Sequence, residues 1–415
     1  MSDFFQNGIV TTLPDLGGRP TRDLERELAS HAERHPITLV LPCLYSELQG
    51  PALDGIVKVL AGVPYLGRIV IGLDRADEAA YRHALGYFSR LPQPHQVIWN
   101  DGPRVQGLVE SLGGLGLAPM RRGKGSNLWL SLGLVQAAGW GEVIATHDCD
   151  IVNYDARLLA RLIYPVAHPV TGYVFAKGYY PRISDGMLYG RVTRLFVTPL
   201  LRALRRLVAP NRYLDYLDSF RYPLAGECAF RADAARRLHL SLDWGLEISV
   251  LTEIYRDHST RQICQVAIAD RYDHKHQALA TDAPDAGLAG MSREIAVSIL
   301  RGLAAQGVVM GMGEVRTVVT AYQRIVLDLM DSYADLADIN GLVIDRGAEA
   351  AAAEVFARSL FEAGRSFVQE NTYSPMTPTW DEVLRREPDA LTALAAAVAA
   401  DRRDFDLPEP ASGDT

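Results

Sequence analysis

The sequence predicts an α/β fold, a mainly parallel central sheet covered by helices on both faces, followed by a C-terminal helical region. Three observations carry this. Short, β-branched, apolar runs alternate with stretches whose apolar residues recur at three and four positions, the mark of strands and helices taking turns. The runs are apolar throughout, as strands buried on both faces are. After about Ala280 strand-like runs cease and long amphipathic stretches take over.

In order, Ile37 to Cys43, Arg68 to Leu73, Gln96 to Trp99, Glu142 to His147 and Gly172 to Lys177 read as buried strands bounded by Pro, Gly or Asp. Pro51 to Ala61, Glu78 to Phe88, Asn127 to Ala138 and Ala156 to Tyr164 read as the intervening helices, with Pro165 closing the last. Beyond an apolar run from Ile263 to Ala269, helices are expected over Ser292 to Ala305, Val315 to Tyr333, Ala348 to Gly364 and Trp380 to Ala400. Thr379 with Glu382 forms a capping box for the last of these. At 415 residues the chain has room for two to three units. The expected division is an N-terminal segment 1–36, an α/β domain 37–280, helices 281–402 and a disordered tail 403–415, DLPEPASGDT being its close.

With 42 Lys plus Arg against 50 Asp plus Glu, bulk charge disfavours nucleic acid as a partner, so any bound anion needs a local basic site. The four cysteines, Cys43, Cys149, Cys228 and Cys264, show no metal-finger spacing and read as reduced thiols. No apolar window is long enough to span a bilayer, and the expected setting is the cytoplasm, away from membranes.

The chemistry-bearing residues follow the strand ends, where open α/β sheets bind ligands. Ala145-Thr146 runs into Asp148-Cys149-Asp150, two carboxylates at alternate positions that point the same way on an extended segment. A divalent cation bridging to phosphates would relieve their repulsion; the competing reading has one aspartate capping the next helix while the other is solvated. Arg121 to Ser126, rich in Gly and opening a helix with Lys124, suits a phosphate, or is a solvated basic turn. Gly190-Arg191-Val192-Thr193 opens another helix as a second anion site, with Arg202, Arg205 and Arg206 read as its wet face. Tyr222 to Glu227 is a turn of small residues, Asp243 to Glu247 places carboxylates at a helix start, and Asp270 to Gln277 crowds acidic, basic and imidazole groups together.

In order and spacing these motifs resemble the glucosyl-3-phosphoglycerate synthase family, retaining glycosyltransferases of the Rossmann-like GT-A fold, over about Pro36 to Gln277. The resemblance implies that Pro42, Cys43, Leu44 and Glu47, with Asp74, Lys124, Asp148 and Cys149, hold the uridine diphosphate of the donor, Asp148 facing the ribose. It implies Asp150 and His274 as ligands of Mg²⁺ or Mn²⁺, His276 being the alternative to His274, and Asp150, Glu247 and Lys124 as the catalytic set. Gly190, Arg191, Val192 and Thr193 would receive 3-phosphoglycerate, and Leu224, Ala225, Gly226 and Glu247 the glucosyl group, with Arg271 a further substrate-binding residue. Ser46 departs from the asparagine or acidic residue common there. Implied too are a homodimer and a product leading, after a phosphatase, to glucosylglycerate, a compatible solute. Three other readings stay open: a mannosyl-3-phosphoglycerate synthase using GDP-mannose, a sugar-1-phosphate nucleotidyltransferase, and a non-catalytic nucleotide-sugar-binding protein.

Overall fold

The structure, a computed structural model, describes residues 6, 8–119, 121–273, 287–369 and 376–405. The first half runs β1 (Thr11–Leu13), α1 (Thr21–Ala32), β2 (Ile37–Leu44), α2 (Pro51–Leu60), β3 (Arg68–Asp74), α3 (Glu78–Phe88), β4 (His95–Trp99), α4 (Pro103–Gly114), α5 (Lys124–Ala137), β5 (Val143–Thr146) and α6 (Ala156–Ala167). There follow β6 (Phe175–Tyr179), a hairpin of β7 (Ile183–Ser184) and β8 (Met187–Leu188), α7 (Thr198–Leu207), α8 (Arg212–Ser219), β9 (Cys228–Arg231), α9 (Ala232–Ala235), α10 (Leu246–Asp257) and β10 (Ile263–Ala267). The helical region holds α11 (Gly287–Ala305), α12 (Met312–Ile339), α13 (Arg346–Gln369), α14 (Trp380–Arg386) and α15 (Ala390–Arg403).

Among the described residues the main sheet has eight strands in the order β1-β10-β6-β9-β5-β2-β3-β4. All neighbours pair in parallel except β9, which runs antiparallel to β5 and β6. From β2 the chain steps outward to β3 and β4, then returns to the other side of β2 as β5, so the order reverses there and a crevice opens at the carboxyl ends of the strands. Because β9 is antiparallel, its start faces that same edge. The exits of β2, β3, β5, β6 and β10 and the entrance of β9 therefore meet on one side.

Alternation along β2 divides the core. Leu39 and Leu41 face α2, α3 and α6, while Val40 faces α5 and the C-terminal helices. Two details differ from expectation. Pro165 does not end α6, which continues to Ala167; so close to the terminus a proline forfeits one hydrogen bond while its ring stays buried. The stretch from Trp380 to Ala400 is two helices, since Pro388 biases Glu387 away from helical angles.

The helical region is locked to the sheet through Trp380. Its ring stacks on Trp129 of α5 at 4.1 Å, Trp380 Nε1 donates to the Trp129 carbonyl at 2.9 Å, and Trp129 Nε1 donates to that of Pro378 at 2.8 Å. Trp380→Ala is expected to destabilise the protein by about 3–5 kcal/mol, read as a lower denaturant midpoint; an unchanged midpoint would show that this contact does not hold the helices. Among the described residues no helix is long and apolar enough to cross a membrane.

Candidate active site

The crevice is lined by Pro42, Lys124, Thr146, Asp148, Lys177, Ala225, Gly226 and Glu247, among others. Its centre is an ion-pair triad. Lys124 Nζ lies 2.7 Å from Asp148 Oδ1 and 3.3 Å from Glu247 Oε1, joining α5, the β5 exit and the first turn of α10. Burial opposes the ammonium charge, but Asp148 and then Glu247 outweigh it and hold the Lys124 pKa well above its ordinary value. The first turn of α5 is fixed by its fit: a Cβ at Gly125 would lie 2.1 Å from the Ser241 carbonyl oxygen. At Gly226 a Cβ would fall 2.6 Å from Asp148 Oδ2, so the turn before β9 lies close against the aspartate carboxylate. That turn is held from beneath, Thr146 Oγ1 donating to the Gly226 carbonyl at 2.9 Å and buried Lys177 Nζ to that of Ala225 at 2.6 Å.

β5 ends at Thr146, so Asp148 and Asp150 lie on a bend, not on a strand. The alternation survives, with both aspartates half-buried around buried Cys149. Neither caps α6. Asp155 does so, accepting from the Leu158 N–H at 3.1 Å, which removes the capping explanation for the pair. His147 between strand and bend is fully buried, its ring edge-on to Tyr154, and burial pushes its pKa down to about 3.

The segment after β10 is stitched to this bend. Val152 N–H donates to the Asp273 carbonyl at 2.9 Å, Asn153 Nδ2 to that of Arg271 at 2.7 Å, and Asp273 N–H to Asn153 Oδ1 at 3.0 Å. His274 and His276 lie outside the described residues, as does the tail from 406. Among the described residues no cluster of three His, Cys, Asp or Glu comes together as a metal site. Asp150 offers at this strand exit the hard oxygen donor a divalent cation takes, while Asp148 beside it is already paired with Lys124.

Asp74 closes β3 and accepts from Asn100 Nδ2 at 2.8 Å and Asn127 Nδ2 at 2.9 Å. Burial pushes its carboxyl up, against the pull of both amides. The thiols of Cys43 and Cys149 are buried, so these residues offer the crevice only main chain; Leu44 is exposed and Glu47 half-buried in the following turn. Arg122 does not enter the crevice but pairs with Asp101 and donates to Gln106.

No family model matches the chain. Over 404 residues, 97% of this chain and 100% of the relative, it is 43% identical to the glucosyl-3-phosphoglycerate synthase of Persephonella marina. The chain belongs to the glucosyl-3-phosphoglycerate synthase family. A second family member, from Methanococcoides burtonii, is 34% identical over 97% of this chain and 99% of its own. The Mycobacterium tuberculosis synthase solved with Mg²⁺ and uridine diphosphate matches with a TM-score of 0.52 at 24% identity, covering 71% of this chain and 86% of that one. Its complex with Mn²⁺, UDP-glucose and phosphoglyceric acid matches equally well over 71% and 87%. These likenesses bear out the expected GT-A fold with C-terminal helices.

In this family member Gly190 lies against Arg182 and Tyr222, beside the turn that carries Leu224, Ala225 and Gly226. The expected helix opening is instead a π-turn, Val192–Val197, an irregularity common at functional sites. Thr193 is buried with its hydroxyl unpartnered, and among the described residues Arg191 has no ion-pair partner. Arg194 is buried and pairs with Glu349 of α13 at 2.6 Å, so it anchors this turn to the helical region. Arg271 is exposed. The sequence reading gave no role to Lys177, Asn100, Asn127, Tyr180, Tyr272 or Glu227. A lysine ending a buried strand, and a glutamate directly after a turn of small residues, were the signals available.

Proposed function

We propose that this chain transfers glucose, with retention of configuration, from UDP-glucose to the 2-hydroxyl of 3-phospho-D-glycerate. The observation that carries the reading is the Lys124–Asp148–Glu247 triad beside Gly226, set at the strand edge of a chain that matches the family along its length. Pro42 to Glu47, Asp74 and Asp148 hold the nucleotide, with Asp148 at the ribose. Lys124 supplies positive charge to the leaving diphosphate. Asp150 and His274 hold Mg²⁺ or Mn²⁺, which when bound offsets diphosphate charge as a Lewis acid. Leu224, Ala225, Gly226 and Glu247 seat the glucosyl group. The anomeric carbon–oxygen bond to the diphosphate breaks as that carbon joins the acceptor hydroxyl on the same face, and the hydroxyl proton passes to the departing diphosphate.

The purified protein should form product from UDP-glucose and 3-phosphoglycerate. Turnover of GDP-mannose with none from UDP-glucose or GDP-glucose would overturn the reading.

Gly190, Arg191, Val192 and Thr193 receive the phosphate and carboxylate of the acceptor, with Arg271 a further substrate contact. Arg191→Ala is expected to raise the KM for 3-phosphoglycerate about 10- to 100-fold, the worth of a hydrogen bond to a charged group, while moving the UDP-glucose KM little. Equal changes in both would count against this assignment. A homodimer is part of the proposal, supported by exposed Leu336 and Ile339 at the end of α12 and Val343 in the connection after it, and light scattering should read twice the chain mass. The four unbridged cysteines support a reducing, cytoplasmic setting.

A further inference from the structure

One carboxylate at the crevice has no task in this scheme. Glu227 directly follows Gly226, is fully buried, and accepts from Tyr180 Oη at 2.7 Å and Tyr272 Oη at 2.5 Å. The two phenol rings stack face to face, 3.6 Å apart and 7° from parallel. Removing a carboxylate from water is expensive, and a hydrocarbon trio of the same volume would avoid that penalty. The arrangement therefore calls for an explanation other than stability.

Its partners supply one, because they stand on different elements. Tyr180 follows β6. Tyr272 belongs to the segment after β10 that Val152 and Asn153 stitch to the Asp148–Asp150 bend, and His274 comes two residues later in the sequence. Glu227 itself extends the turn that presses Gly226 against Asp148. One buried group thus ties the Leu224–Gly226 turn to the segment that precedes His274 in the sequence.

We propose that Glu227 is a positioning residue: through Tyr272 it locks the segment 271–273 to the turn Leu224–Gly226, so that the cation and the glucosyl group are held in one register. This rests on His274 being a cation ligand, as proposed above. Residues that orient a metal ligand commonly govern metal affinity.

The test is Mn²⁺ binding by the full chain with uridine diphosphate present, read from loss of the free-ion electron paramagnetic resonance signal. Tyr272→Phe is expected to weaken binding about 10- to 100-fold, the usual cost of losing such a partner. Tyr180→Phe removes the same kind of bond to the same carboxylate, but from the side that does not lead to His274. It should weaken binding by no more than about threefold, with both variants unfolding at similar temperatures. Equal effects of the two substitutions, or none, would overturn the proposal. His274→Ala separates the two layers. If it leaves Mn²⁺ binding intact, the histidine assignment fails; if it abolishes binding while Tyr272→Phe binds as wild type, only the positioning role fails.

Discussion

Asp150→Ala is expected to remove transfer supported by Mg²⁺ or Mn²⁺, by on the order of 10³-fold or more, since it withdraws the carboxylate proposed to hold the cation at the leaving group. The unfolding midpoint without ligands should stay near that of wild type. The reason lies in what holds the bend together. The cap of α6 comes from Asp155, and the ties to the β10 segment run through the Val152 N–H and the Asn153 side chain. Release of uridine diphosphate across an Mn²⁺ titration, paired with thermal unfolding, measures both halves. Mn²⁺-stimulated turnover within tenfold of wild type would end the assignment of Asp150 to the cation.

The parallel strands were legible because each is a short apolar run between turn residues, and burial on both faces leaves that mark. Other elements left none. β1 is three residues, Thr11–Leu13, whose strand character comes from pairing with β10 far along the chain. β9 is four residues long, and nothing local announces that it lies antiparallel between β5 and β6. In the site, motifs confined to one strand exit were visible, as with Asp148-Cys149-Asp150. The partners of each charge were not. Arg194 looks like a neighbour of Arg191 on an anion-binding turn, yet it is buried against Glu349 from a helix late in the chain. Arg122 stands two residues from Lys124 on the same basic turn but pairs with Asp101. Such choices depend on which opposite charge the fold brings within reach, and a residue's sequence neighbours carry no record of it.

Lys124→Met probes the centre of the triad. In the proposed scheme the ammonium meets the charge that develops on the departing diphosphate, and it is held at the strand edge by Asp148 at 2.7 Å and Glu247 at 3.3 Å. The helix that carries it cannot slide, because Gly125 abuts the Ser241 carbonyl and the Gly123 N–H is satisfied by Ser126 Oγ at 3.0 Å. Preorganised charge of this kind contributes about 10²- to 10³-fold to kcat, and Lys124→Met should lose that much while retaining Mn²⁺ binding, since it leaves Asp148 and Asp150 in place. The pH behaviour follows from the sign of the shift. A lysine whose folded pKa is raised contributes stability that is complete below the unfolded value of about 10.4 and is lost only as pH climbs through the higher folded value. Between about pH 6 and 9 Lys124 is therefore charged in folded and unfolded chains alike, and the substitution should lower the rate by a constant factor across that range. A loss that deepens steadily toward pH 9 would mean that Lys124 gives up its proton during turnover, making it an acid in the reaction and not a fixed counter-charge.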